Sequence, residues 1–389
     1  MRLKRATFRE VIHRINERTM MIALKRAPSL FASSLRVPND DCLNGIELPE
    51  IVHEQDLVST NEILHGKTFC LGAGEKEIEA YENRWRNVFC SDILYDESDP
   101  DIRSVWERGR LQHLMIVMEE ISKENRSEEN EVKMRFVRDS IKDWLNSNPF
   151  PYGPHYMSVM ECALRIPVFL YTLKTISILA SDERKNILKA IFGHAWLIER
   201  RLSLYSSLGN HTTCEAMGLV MAGALFGNDT RGQRWLERGL ELLRQECRHQ
   251  ILDDGGPVER SLNYHRFVLD VFWLCVDFLE KNRLSDCSDL RKRLEAGESF
   301  ISAHITKETM PNIGDSDDGR AIAPGLFPAA RIVQGEFSGD RIRTFEKTGC
   351  TVISGETGQF LTFDHGALGM APFYNHGHAD ALGGAVYRN

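Results

Sequence analysis

Two adjoining residues, Asn210 and His211, have side chains that suit the binding of a carboxylate. They follow Gly209, and the spacing of Thr212 and Glu215 is that of a capping box, which predicts a helix that starts here. The amide and imidazole donors would then lie just ahead of a helix N-terminus, where backbone N–H groups and the helix dipole favour an anion. Ordinary turn and capping chemistry is the alternative explanation of this segment.

A phenol at the start of another helix is the next candidate. The glycine-rich turn at Asp253–Pro257 leads to Ser261, a predicted N-cap, and Tyr264 falls in the first helical turn. Arg260 and Arg266 are close in sequence, and neighbouring cations favour a phenolate. These residues predict a proton-transfer group. The alternative is a tyrosine that packs along one apolar helix face.

A third group of reactive side chains occupies Asn375–Asp380. In a strand, His376, His378 and Asp380 would point to one side, because side chains alternate. Two histidines and an aspartate are zinc ligands in many proteins. The same residues could divide their duties, with one histidine catalytic, and a surface loop is the alternative.

The segment Gly314–Arg320 places acidic residues between glycines, as calcium loops do. The glutamate that closes an EF-hand loop does not follow, so a tight turn is the favoured interpretation.

The elements that must position these residues are mainly helical. Residues 1–28 predict an amphipathic helix, and residues 29–100 predict an irregular wrapping segment. Between 101 and 304, apolar residues recur with helical periodicity and turn sequences separate the repeats. The predicted helices lie near 103–123, 130–146, 157–180, 183–205, 212–227, 230–249, 261–281 and 286–304.

Strands are predicted only near the end of the sequence, at 351–353 and 359–363. Helices followed by strands indicate two domains or a segregated α+β arrangement. The predicted organisation is an N-terminal segment 1–100, a helical domain 101–335 and the beginning of a β domain 336–389. The last segment is too short for a substantial β domain, so we expect further strands beyond Asn389.

Composition limits the classes of partner. The 389 residues carry a formal net charge of −8 without a basic cluster, which argues against nucleic-acid binding. The nine cysteines form no CxxC pair, which favours buried free thiols. No apolar run is long enough for a membrane span. The basic start lacks the apolar region of a signal peptide, which predicts a cytoplasmic protein; a periplasmic or exported protein is the alternative if the start is misassigned.

Several motifs, in this order, resemble the heparinase II/III-like polysaccharide lyases. Val105–Leu114 resembles the family's W-E-x-x-R helix, and Asn148-Pro149 to Gly153, followed by Glu161 and Arg165, resembles its N-P-x-x-x-G and E-x-x-x-R stretch. Tyr156 stands where the family pattern has Trp. The Asn210-His211 pair, the Asp-Gly-Gly to Tyr-His segment, Gly314–Gly319 and the His-Gly-His-Ala-Asp ending complete the series, which covers roughly residues 100–389.

This resemblance implies an incomplete (α/α) toroid followed by the start of an antiparallel β-sandwich domain. It also implies eliminative cleavage of a uronic-acid polysaccharide. Carried over by motif, Asn210 and His211 would neutralise the carboxylate, while Tyr264 and His376 would transfer protons or stabilise charge. The predicted substrate-binding residues are Glu215, Arg260, His265 and Arg266. No cofactor is required; His378 resembles the first ligand of the zinc site found in part of the family, whose other ligands would follow Asn389.

Two other functions remain open at this point. A glycoside hydrolase could use Asp253 or Asp254 together with Glu259 or Asp315. A non-catalytic glycan-binding or assembly protein of polysaccharide biosynthesis is the other alternative. The sequence leaves open the identity of the polysaccharide, endo or exo action, activity without the full β domain, and the oligomeric state.

Overall fold

The computed structural model describes residues 7–28, 40–53, 58–66, 74–123, 127–205, 208–305, 310–315, 319–331, 341–355, 360–370 and 384–387. The described chain is mainly α-helical, with short antiparallel strands towards its end, as the sequence predicts. Its helices are α1 (Phe8–Arg26), α2 (Thr60–Leu64), α3 (Glu75–Trp85), α4 (Ile102–Gly109), α5 (His113–Lys123), α6 (Glu128–Ser147), α7 (Val159–Thr175), α8 (Ser181–Arg200), α9 (Asn210–Leu225), α10 (Thr230–Gln250), α11 (Leu262–Lys281) and α12 (Ser288–His304).

The predicted helix 103–123 is two helices, α4 and α5, so this part of the prediction is wrong. The interruption lies at Leu111, whose φ of 61° is a left-handed conformation that a continuing helix cannot contain. Because Leu111 is buried, side-chain packing holds this unfavourable backbone in place. Periodicity alone does not reveal such a break, since the apolar pattern continues across it.

The prediction that residues 29–100 are irregular is also wrong, because α2 and α3 lie within this range. Ser59 and Glu62 form a capping box at the start of α2. In α3, Ile78 and Tyr81 are buried against Val105 of α4. A short helix with one small apolar face gives a weak periodic signal in a sequence rich in charges.

Helix α1, over Phe8–Arg26, corresponds to the N-terminal helix predicted over residues 1–28. Thr7 caps it, with the Glu10 amide donating to the Thr7 hydroxyl. Met21 and Leu24 are buried, whereas Phe8 and Ile15 on other faces are exposed.

The chain divides into two compact units. The first comprises residues 1–46 and 58–239, and the second comprises 47–57 and 240–389. This partition does not follow the predicted boundaries at 100 and 335, which stay predictions. The core of the first unit is α7, most of whose residues are buried. Helix α9 packs closely on α7, since a Cβ on Gly218 would lie 2.9 Å from the Cβ of Ala163.

The second unit combines α11 and α12 with two antiparallel sheets. Strands β1 (Ile51–His53) and β2 (Leu326–Pro328) pair with each other, and β3 (Arg341–Phe345), β4 (Cys350–Ser354), β5 (Phe360–Asp364) and β6 (Gly384–Tyr387) form a meander in chain order. The strands predicted at 351–353 and 359–363 correspond to β4 and β5. The turn before β4 needs glycine, because Gly349 has a φ of 74° and a Cβ there would lie 2.4 Å from Cα of Gly366.

The described cysteines are free thiols, and most of them are buried, as predicted. Within the described part of the chain, the helices are too short or too polar to cross a lipid bilayer.

The contact between the turn before α11 and the β3–β4 turn gives a stability test. A Cβ on Gly256 would lie 1.8 Å from Oγ1 of Thr348. We therefore expect Gly256→Ala to lower the free energy of unfolding by about 1–3 kcal/mol through overpacking. Denaturant titration would measure it. Gly384→Ala is the control, since its nearest neighbour lies at 3.7 Å; equal stabilities for the two variants would contradict the prediction.

Candidate functional site

Asn210 and His211 open helix α9. The helix begins at Asn210 and its N-cap is Gly209, whose φ of 101° favours glycine. The capping box predicted for Thr212 and Glu215 is therefore wrong. Asn210 and His211 occupy the first helical positions, so the backbone N–H groups of this turn point in the direction that attracts anions. Asn210 is buried and His211 is half-buried.

The residues of the expected capping box hold the preceding segment instead. The amide and the hydroxyl of Ser203 donate to the two carboxylate oxygens of Glu215, at 2.8 and 2.6 Å. Thr212 Oγ1 donates to the carbonyl of Ser203 at 3.3 Å. Both carboxylate oxygens of the buried Glu215 are engaged in these hydrogen bonds, so Glu215 holds the backbone near Ser203 in place. The predicted contact of Glu215 with substrate stays a prediction that this geometry does not support.

A buried ion pair lies close to His211. Arg110 donates two hydrogen bonds to Glu161, from Nε at 2.7 Å and from NH2 at 2.9 Å. Burial by itself raises the pKa of the Glu161 carboxyl, but the charge and hydrogen bonds of Arg110, then the charges of Arg165 and His211, outweigh burial and leave this pKa lowered. Glu161 is therefore an anion close to His211, and its charge is compensated by Arg110 and Arg165.

Arg165 fixes the neighbouring backbone. It is fully buried and donates to the carbonyl of Gly109 at 3.2 Å, to that of His155 at 2.5 Å and to Nε2 of His194 at 3.0 Å. Burial, followed by the charge of Arg165, lowers the pKa of His194 well below its usual value, so this histidine stays neutral. Tyr156, the residue at the family's Trp position, is buried beside Arg165 and donates to the carbonyl of Asn148 at 2.9 Å.

A polar cavity of about 260 Å³ in the first unit has His211 in its wall. The half-buried Trp106 and Tyr205 also line it, together with Arg201 and residues of α1. Trp106 Nε1 donates to the carbonyl of Pro154 at 3.0 Å, which fixes the indole ring. Aromatic rings, a guanidinium and an imidazole around one polar cavity suit an acidic sugar better than an apolar ligand.

In the second unit, Tyr264 has the predicted placement in the first turn of α11. Ser261 caps this helix, with the amide of Tyr264 donating to Ser261 Oγ at 3.2 Å. The Ser261 hydroxyl donates to the carbonyl of Asp315 at 2.6 Å, so the Gly314–Asp315 segment also lies at this helix start. Tyr264 is half-buried. Arg266, in the same turn, donates to Asn263 Oδ1 at 3.1 Å.

His265 has a structural contact. It is 2% exposed, and its Nε2–H donates to the carbonyl of Gly255 at 2.9 Å. Burial lowers the pKa of His265 to about 3 despite this hydrogen bond, so the imidazole is neutral. The ring thus supports the glycine turn before α11. Its predicted role in substrate binding stays a prediction, and the burial argues against it.

Arg260 lines a second cavity, of about 220 Å³, within the second unit. Its backbone is left-handed, with a φ of 60°, and its guanidinium lies 3.7 Å from Asp364 Oδ1 and packs on Gly366. His304 and Cys350 belong to the same wall. Arg260 thus lines this cavity while close to Asp364, and its predicted role in substrate binding stays a prediction.

Two of the four carboxylates considered for hydrolysis, Asp254 and Asp253, have protein partners. Thr348 donates to both oxygens of Asp254, from its amide at 2.8 Å and from Oγ1 at 2.7 Å. Burial raises the pKa of Asp254, but the hydrogen bonds from Thr348 and from the Gly256 amide outweigh it, so the pKa is lowered and the group is a poor general acid. Asp253, exposed, pairs with Arg293 at 2.7 Å.

The predicted groups at Asn375–Asp380 and at 316–318 lie outside the described residues, so the roles of His376 and His378 stay predictions. Among the residues that are described, no group of three or more His, Cys, Asp or Glu side chains could hold a metal ion.

The structure brings Asn210, His211 and Glu215 together on α9 of the first unit. Arg260, Tyr264, His265 and Arg266 are together at the start of α11 in the second unit. Sequence reasoning missed the cavity residues of α1 and Arg201. Their spacing gives no local signal, since α1 is distant in sequence from the residues it meets.

The family model described as Heparinase II/III N-terminus matches residues 115–323. The heparin-sulfate lyase of Bacteroides stercoris is 32% identical over 71 residues, which are 18% of this chain and 11% of that protein. The heparin-sulfate lyase of Bacteroides thetaiotaomicron is 33% identical over 81 residues, 21% of this chain and 12% of that protein.

The crystal structure of heparinase III is similar with a TM-score of 0.58 at 17% identity, over 76% of this chain and 50% of that one. This likeness shows the fold and confirms the fold class expected from the sequence. The chain spans about half the length of heparinase III, and its matches to the curated relatives are much shorter still.

The buried His265 predicts a pH dependence of stability. The unfolded histidine titrates near 6.5 and the folded one at about 3. As the pH falls, the unfolded state therefore binds a proton before the folded state does. The free energy of unfolding then decreases between pH 6.5 and about 3, by about 1.4 kcal/mol per pH unit. His265→Gln, which retains a donor for Gly255, should make the free energy of unfolding less steep in pH between 7 and 5.

Denaturant titrations at several pH values would measure this slope. His65→Gln is the control, because His65 is exposed. An unchanged slope in His265→Gln would show that another group causes the loss.

Proposed function

The chain belongs to the heparinase II/III family, and we propose that it is a polysaccharide lyase that cleaves a uronic-acid-containing glycosaminoglycan by β-elimination. The names of the similar proteins, heparin-sulfate lyase and heparinase III, support this class of substrate. The observation that carries the proposal is the position of His211, in the wall of a polar cavity and at the start of α9.

Elimination requires three events at the sugar. The uronate carboxylate must be neutralised, so that the C5 proton becomes acidic. A base then removes this proton, and the electron pair of the C5–H bond forms a C4–C5 double bond while the bond from C4 to the glycosidic oxygen breaks. An acid protonates the departing oxygen, and no water is consumed.

We assign the first event to Asn210 and His211. The helix dipole of α9 favours an anion at this end, and the amide side chain can donate two hydrogen bonds. His211 adds an imidazole donor, which is in electrostatic contact with the Glu161 carboxylate. Arg110 holds Glu161 in place through two hydrogen bonds.

We assign proton transfer to Tyr264, with His376 as the second group. The Ser261 cap fixes the backbone of Tyr264, which is half-buried. A hydroxyl that returns its proton can serve as base and then as acid when both protons lie on one face of the sugar. No carboxylate pair is needed, in accord with the engaged state of Asp254.

The test is Tyr264→Phe with heparan sulfate as the substrate. We expect turnover to fall by about 10²–10⁴-fold, the usual contribution of a general acid or base, while oligosaccharide binding persists. Formation of the unsaturated product is followed by its ultraviolet absorption. Tyr95→Phe, which changes an exposed tyrosine, is the control.

Two results would contradict the proposal. One is turnover by Tyr264→Phe equal to that of the unchanged protein. The other is cleavage without ultraviolet absorption, which would indicate hydrolysis. Alginate and unsulfated uronate polymers tested in parallel would define the substrate class.

A further inference from the structure

Helix α1 forms part of the wall of the His211 cavity. His13, Arg14 and Glu17 line this cavity together with His211. The helix is fixed to the first unit, since Met21 and Leu24 are buried and the Nε2–H of His13 donates to the carbonyl of Leu202 at 3.1 Å. The proposed neutralisation of one carboxylate by Asn210 and His211 does not involve the residues of α1. Their presence in the cavity wall therefore needs a separate explanation.

The charged side chains in this wall differ in how firmly protein partners hold them. Arg201 is committed to protein partners, because it donates to Glu17 at 3.0 Å and to the carbonyls of Tyr156 and Met157 at 3.0 and 3.1 Å. The same pairing compensates the negative charge of Glu17. The cavity therefore has no uncompensated anion among these residues that would repel an acidic ligand.

Arg14 differs from Arg201. Its side chain is 53% exposed, and its Nε donates to Glu10 of the preceding turn at 3.0 Å. Glu10 is half-buried, so only the arginine side of this pair faces solvent. Pairs that solvent reaches add little stability, because solvent screens them and two flexible side chains must be held. An acidic ligand in the cavity can therefore share or take over the guanidinium of Arg14 at little cost.

The size and the rings of the cavity restrict the ligand. Its volume of about 260 Å³ lies just below the range of about 300–1,000 Å³ typical of drug-sized ligands, which suits a short segment of a sugar chain. Trp106 and Tyr205 offer flat apolar surfaces, and the ring of Tyr205 lies 5.4 Å from that of His13.

We propose that the α1 wall of this cavity is a subsite for one acidic sugar residue, next to the residue whose carboxylate Asn210 and His211 neutralise. Arg14 binds its acidic substituent, a carboxylate or a sulfate, and Trp106 and Tyr205 contact its ring. The inference rests on the proposed function for the identity of the substrate. It adds a helix outside the family-model match, which begins at residue 115.

Arg14→Ala tests the subsite against a matched control, Arg18→Ala. Both arginines lie on exposed positions of α1, one turn apart, and each substitution removes one charge. Arg14 lines the cavity, whereas Arg18 is not among its lining residues. Long-range attraction changes similarly in both variants, since one helical turn is shorter than the Debye length of about 8 Å. A difference between them therefore reports direct contact.

The measurement is calorimetric binding of a heparan sulfate tetrasaccharide to the full chain, with its desulfated counterpart as the second probe. Arg14→Ala should weaken binding about tenfold, as expected for loss of a charge-assisted hydrogen bond, and Arg18→Ala less than twofold. Glu10→Gln should tighten binding, because it removes the carboxylate that competes for Arg14. A larger effect of Arg14→Ala on the sulfated probe would identify sulfate as the substituent, and an equal effect would identify the carboxylate.

Equal weakening by both arginine variants, no weakening by Arg14→Ala, or no binding by the unchanged protein would overturn the subsite. Binding that depends on Arg14 without turnover would uphold the subsite and contradict the lyase proposal. Turnover that depends on Tyr264 but not on Arg14 would uphold the lyase proposal and contradict the subsite. Where turnover occurs, Arg14→Ala should raise KM and leave kcat unchanged, and thermal unfolding of each variant checks that α1 remains folded.

Discussion

The buried ion pair between Arg110 and Glu161 is the constraint on which the arrangement around His211 depends. Charges can remain inside a protein only when partners replace the lost water, so both side chains must meet in one geometry. Arg110 follows α4 and Glu161 lies in the first turn of α7. The pair therefore connects the backbone break near Leu111 to helix α7, on which α9 packs.

Polar contacts of this kind recur at the start of α11 in the second unit. Ser261 donates to the carbonyl of Asp315, and Asp254 accepts from Thr348. His265 donates to the carbonyl of Gly255 in the preceding turn. The half-buried Tyr264 therefore follows a turn that several hydrogen bonds hold in place. Each unit has its candidate residue, His211 or Tyr264, in the first turn of a helix.

Features determined by adjacent residues could be predicted from the sequence, and those determined by distant partners could not. Ser261 caps the helix of Tyr264 as predicted, because both partners lie within one turn. The Thr212–Glu215 spacing fits a capping box equally well, yet Ser203 supplies better donors from outside the helix. The break at Leu111 and the α1 wall of the cavity depend on tertiary packing, which periodicity does not report.

The buried thiols make the two units distinguishable in solution. Burial raises the pKa of Cys90 in the first unit and of Cys247 in the second, each to about 12, so neither is a reactive thiolate at neutral pH. Alkylating reagents can reach these sulfur atoms only when the surrounding helices separate. The rate at which each cysteine is modified therefore records how often its own unit opens, without any engineered label.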